Sequence, residues 1–205
     1  MAIALGLVLP AQRARGDDDV VWKQATFVED GKGLAVSVGF RDLLDQPMRE
    51  RLRSGFATTV VMRIYLYEQS GGAPVAVAAR TLRAVYDLWD EQFLLRIEEP
   101  GRVTTRRLRE DRQVVDQLTS LWRFPLARLD ALPGGKSYFV AVIAEVNPMS
   151  EALLAEVRRW LRNPYGHRGS GSDFFGSFVS IFVNNKIRSA ERSMRLRTQL
   201  VYRRP

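Results

Sequence analysis

Catalytic and metal chemistry needs particular side chains within reach of one another, and few are present. Histidine occurs once, at His167, and cysteine is absent. This composition excludes a histidine-rich metal cluster, a thiolate site and a disulfide framework. A serine–histidine–carboxylate relay has only His167 as its base. That residue lies in NPYGHRGSGSD beside Tyr165 and Arg168, where a surface histidine is the plainer reading. Neighbouring acids at Asp87 and Asp90, and at Glu98 and Glu99, fall in turn-like sequence with no base or metal ligand beside them. They read as solvated carboxylates, not as a general acid and base. PGGKS, residues 133–137, ends like a phosphate-binding loop, but the pattern needs glycine where Asp130 stands, and a strand-like run follows instead of a helix. RGSGSD, residues 168–173, can form an anion nest at a helix start, yet reads more simply as a loop. No catalytic residue, cofactor site or metal site is assigned, and a non-enzymatic protein is expected.

What remains is cationic and aromatic. The formal charge is +8, and residues 151–205 hold 11 Lys and Arg against 4 acids. The excess therefore belongs almost wholly to the C-terminal quarter. Such asymmetry suits an anionic partner: phospholipid headgroups, nucleic acid or an acidic protein. A solvated face with local ion pairs has the same composition. Beside these cations stands SDFFGSFVSIFVNN, residues 172–185. It is far short of the roughly 20 apolar residues that span a bilayer. It is either core or a lipid- or partner-facing patch, since apolar residues beside basic ones hold anionic membranes. The partner-binding candidates are Arg188, Arg192, Arg195 and Arg197, with Phe174, Phe175 and Phe178 as anchors.

The elements that position them are mostly strands. VVWKQATFV, the turn EDGKG and LAVSVGF begin the pattern, with Leu34, Val36, Val38 and Phe40 on one face. DQPMRERLRSG predicts a short helix capped by Asp45, with Pro47 in its first turn and Gly55 past its end. ATTVVMRIYLYE places Val60, Met62, Ile64 and Leu66 on one face and Val61, Arg63, Tyr65 and Tyr67 on a half-polar face, exposed or lightly covered. Tyr65, Tyr67 and Arg63 imitate an aromatic nucleic-acid platform, but the sequence signatures of such platforms are missing. Hairpins follow through residues 75–108, as an antiparallel meander. Val114, Val115, Leu118, Leu121 and Trp122 predict an amphipathic helix. KSYFVAVIAEV reads as a central strand. Asn147–Pro148 opens a helix with the stripe Leu153, Leu154, Val157, Trp160 and Leu161. A further helix is expected from Ser172 or Asp173 to about Ser193, then one half-buried strand, MRLRTQLVY, with Met194, Leu196, Thr198, Leu200 and Tyr202 on one face and Arg195, Arg197, Gln199, Val201 and Arg203 on the basic outer face.

At the N-terminus, Ala2–Leu9 matches the apolar region of an export signal, with Ala14 and Gly16 suited to a cut before Asp17, although no basic residue precedes it. VVWKQATFVEDGKGLAVSVGF, the helix ending LRSG, and YFVAVIAEVNPMSEALLAEVRRWL together resemble a proteobacterial group of exported proteins, known as a domain of unknown function, over roughly residues 20–161. The resemblance implies export and carries over no site residues.

The expectation is an α+β domain over residues 20–205: a curved antiparallel sheet of about 7–8 strands with helices packed on one face. Residues 1–16 are a possible signal peptide, and 163–173 a glycine-rich connector. The expected function is that of a non-enzymatic envelope protein, periplasmic or on the membrane surface, binding a protein or anionic lipid through its basic C-terminal region. The alternative is a cytoplasmic nucleic-acid-binding module using the same arginines.

Overall fold

The computed structural model describes residues 20–31, 33–148 and 190–204. The strands are β1 (Val20–Lys23), β2 (Thr26–Asp30), β3 (Gly33–Gly39), β4 (Thr58–Glu68), β5 (Ala76–Asp87), β6 (Gln92–Glu99), β7 (Arg102–Leu108), β8 (Ser120–Arg128), β9 (Lys136–Pro148), β10 (Ala190–Thr198) and β11 (Val201–Arg203). The α-helices are α1 (Gln46–Arg51) and α2 (Asp111–Leu118). One sheet has eight strands in the order β1-β10-β9-β4-β5-β6-β7, with β11 also on β9. A second has three, β2-β3-β8.

This overturns the expected α+β architecture. Strand accounts for 61% of the molecule and helix for 14% among the described residues, and the large sheet is mixed, because β1 runs parallel to β10. VVWKQATFV explains part of the difference. It breaks at Gln24–Ala25, so that β1 joins the large sheet and β2 the small one. The small sheet then occupies the position expected of helices. Leu34, Val36 and Val38 of β3 and Leu121, Phe124 and Leu126 of β8 meet Val60, Met62, Ile64 and Leu66 of β4 and Val140, Val142 and Ala144 of β9 in one core. Alternation buries one side of each strand, and facing apolar sides close into a two-layer β structure.

The helix predicted through Trp122 is also cut short. The Thr119 hydroxyl donates to the Val115 carbonyl and the Ser120 hydroxyl to that of Asp116. Such back-bonding competes with further helical turns. The chain continues as β8, with Leu121 buried and Trp122 77% exposed. At the other predicted break, Asn147 and Pro148 are the last residues of β9. The expected helix end near Ser193 is replaced by β10, which begins at Ala190. The helices predicted over 149–189, the signal segment 1–16 and the connector 163–173 lie outside the described residues. No helix among the described residues is long and apolar enough to cross a membrane.

Other sequence signals become the predicted structure. Asp45 caps α1 by accepting from the Met48 amide at 3.0 Å. Gly55 takes φ +80°, the left-handed region open to glycine, but it lies three residues past the Leu52 C-cap and not at the C′ position expected for it. The β4–β7 meander is antiparallel throughout. β9 lies between β4 and β10 and is central, as its apolar run requires.

Candidate functional site

The large sheet has two faces. The inner face meets the small sheet. On the outer face, cross-strand register aligns Trp22 with Arg197, Tyr67 with Phe139, Arg195 with Ile143 and Arg63 with both Ala79 and Ile143. Residues directly opposite in a ladder share a face, so β1, β10, β9 and β4 together present one surface.

A row of stacked groups crosses four strands there. Tyr65 and Tyr67 have ring centres 6.2 Å apart, and Tyr67 stacks on Phe139 at 5.4 Å. The Arg197 guanidinium carbon lies 3.8 Å from the centre of the Phe139 ring and 5.0 Å from that of Trp22. Both distances are within cation–π range. Trp22 is 64% exposed at the end of the row. Arg197 is half-buried and makes no ion pair among the described residues; its buried Nε has no hydrogen-bond partner among them.

Beside the row lies a buried ion pair. The Arg63 guanidinium donates to Glu145 at 2.7 Å, with the residues 5% and 4% exposed. Burial pushes the Glu145 carboxyl above its ordinary pKa, opposed by the charges of Arg63 and Arg195. Burial likewise raises the Tyr65 phenol. The face of β4 expected to be exposed or lightly covered is in fact buried at Val61, Arg63 and Tyr65. Farther along, Arg83 stands directly opposite Arg96 with both exposed, although Arg96 is tied to Glu98 at 2.8 Å. Like charges directly opposite disfavour a ladder.

The predicted partner-binding residues are divided by this geometry. Arg195 and Arg197 share the outer face. Arg192 has the opposite parity, beside Val146 in register, and pairs with Asp45 at 3.1 Å while donating to the Asp42 carbonyl. It serves the junction of β10 with α1, not the outer face. Arg188, Phe174, Phe175 and Phe178 lie outside the described residues, as do His167 and RGSGSD. Trp22, Phe139 and Glu145 are additions. Sequence alternation could place Phe139 and Glu145 on one side of β9, but only the pairing of β1 with β10 brings in Trp22.

The motifs dismissed by sequence have structural uses. Asp87 accepts from the amides of Trp89 and Asp90, closing the β5–β6 turn. Glu98 and Glu99 pair with Arg96 and Arg80. PGGKS leads into β9, with Lys136 held by Glu68 at 2.7 Å. A pocket of about 200 Å³ opens between α1 and the ends of β4 and β9, lined by Met48, Arg51, Phe56, Thr58 and Asn147 among others. Its charged lining residue, Arg51, is bound by Glu191. No known family model, curated protein or solved structure matches this chain.

Proposed function

We propose that the protein is a non-enzymatic envelope protein, periplasmic or on the membrane surface, that binds an anionic partner through the outer face around β10. Phospholipid headgroups are the first choice of partner and an acidic protein surface the second. One observation carries this reading: the Arg197 guanidinium carbon lies 3.8 Å from the centre of the Phe139 ring beside exposed Trp22, with no carboxylate paired to it among the described residues. A guanidinium so placed keeps its Nη donors, though not its buried Nε, for a phosphate or carboxylate while rings hold it. Val20 and Trp22, both exposed, add the apolar component that lipid interfaces favour. The signal-like N-terminus and the likeness to an exported group support the compartment.

Co-sedimentation with vesicles tests this reading. Binding is expected to vesicles containing phosphatidylglycerol and to weaken with salt, since surface charges are screened. Arg197→Ala should reduce it about fivefold, as one arginine at an anionic surface contributes about 1 kcal/mol. Equal binding to neutral and anionic vesicles would overturn it.

The stacked Arg197–Trp22 pair also favours a second reading, a cytoplasmic nucleic-acid module, because bases stack on such groups. A native N-terminus at Asp17, found in a periplasmic fraction by mass spectrometry, would eliminate it.

A further inference from the structure

β7 stands at one end of the large sheet. It pairs with β6 on one side, and no described strand lies on the other. Val103 is 56% exposed, and Arg102, Thr105, Arg106 and Arg107 are exposed with it. The edge is therefore open to solvent. Every second residue of such a strand turns its N–H and C=O away from the neighbouring strand.

The same strand concentrates free cations. The net charge of the sequence belongs to the C-terminal quarter, yet Arg102, Arg106, Arg107 and Arg109 crowd this short stretch. All are exposed, and none makes a hydrogen bond or ion pair among the described residues. The acids around them are already engaged. Glu98 pairs with Arg96, Glu99 with Arg80 and Asp111 with Arg53. Burial lowers the pKa of Arg80, Glu99 opposes this, and the charge of Arg106 adds to the lowering, so that charge is felt uncancelled in the fold. Register sets the arginines on both sides of β7. Arg106 stands opposite Leu95, which belongs to the inner core, and Arg107 opposite Leu94 on the outer side. Charged side chains on an edge strand guard it against other strands. A guard of one sign is selective: it repels a second copy of itself and attracts a strand bearing carboxylates.

We propose that the β7 edge takes up an extended acidic segment of a partner protein as an added strand, its main chain bonded to β7 and its carboxylates meeting Arg102, Arg106 and Arg107. Strand addition draws affinity from the backbone and selectivity from the side chains. Val103 supplies an apolar contact for a β-branched neighbour. The inference is independent of the proposed lipid binding near Arg197 of β10, from which β7 is separated by β9, β4, β5 and β6.

The test uses the full-length protein and a dye-labelled eight-residue peptide of glutamate, valine and threonine. A second peptide of the same sequence has methylated backbone nitrogens, which keeps the charge and removes the donors. Fluorescence anisotropy should show the first peptide bound and the second at least about tenfold weaker, the effect of losing two or more main-chain bonds. Arg106→Ala with Arg107→Ala should weaken the first about fivefold, the worth of two exposed ion pairs, while Arg197→Ala leaves it unchanged. Amide exchange over residues 102–108 should slow when the peptide is added. Equal binding of the two peptides would overturn the added strand, as would affinity untouched by the double variant. No binding at all would reduce the arginines to guards of the edge and sink the proposal. Tighter binding of a single-stranded oligonucleotide of equal charge would assign the cations to phosphate and sink it too.

Discussion

The outer face joins two kinds of arginine whose differences can be measured. Arg197 is held by rings, so its charge remains available; Arg63 is consumed by Glu145 in a buried pair. Removing one member of such a pair strands the other charge in a dry site, at a cost of about 3–5 kcal/mol. Arg63→Met should therefore lower unfolding stability toward the lower end of that range, because Arg195 still acts on Glu145. The double variant Arg63→Met with Glu145→Leu should recover most of the loss, since apolar replacement of a buried pair is often neutral. Urea denaturation of the three proteins checks this; a double variant as unstable as the single would show that the pair itself is needed. Arg63, Tyr65 and Tyr67 were legible as one face from their alternation in β4. Their burial was not, because a period of two states which residues share a side and not what covers that side.

Elements formed where local chemistry agreed with pattern and failed where it disagreed. α1 was legible because Asp45, Pro47 and Gly55 each mark a definite backbone state. Asp45 also receives Arg192, so Asp45→Ala should cost about 1 kcal/mol through the lost cap, read as a lower denaturation midpoint. The predicted extension of α2 through Trp122 failed because Leu121 and Trp122 fit an apolar helical stripe as well as they fit a strand, and Thr119 and Ser120 decided between them. At the mouth of the β9–β10 hairpin, Glu191 is held below its ordinary pKa of 4.5, first by the Arg51 guanidinium and then by the Asn147 amide. A lowered folded pKa adds stability above the ordinary value, and that stability is lost as pH falls through the lowered one. Glu191→Gln should therefore be less stable than the native chain at neutral pH, with the gap closing as pH falls below 4.5. A pH series of urea midpoints checks this, and a gap independent of pH would show that the carboxylate charge is not what matters.

At the scale of the whole molecule, the two ends of the described fold meet. β1 pairs in parallel with β10, a contact between the first and last quarters of the chain that no local pattern announces. Periodicity marked both segments as strands, but neighbours in a sheet are chosen by topology. The Gln199 side chain reinforces the contact. Its amide donates to the Ala25 carbonyl at 2.6 Å and its carbonyl accepts from the Ala25 amide at 2.9 Å, which copies a strand pair where β1 ends. Gln199→Ala should cost about 1–2 kcal/mol for two partly buried bonds. A chain shortened to begin at Gln24 tests the larger consequence. It removes β1, leaves the backbone edge of β10 unpaired and strips Trp22 from Arg197. An open edge beside apolar residues recruits another strand. The shortened protein should therefore self-associate in size-exclusion chromatography and bind anionic vesicles more weakly. If it stayed the same size as the native chain and bound vesicles equally well, β1 would be neither the guard of that edge nor a part of the binding margin.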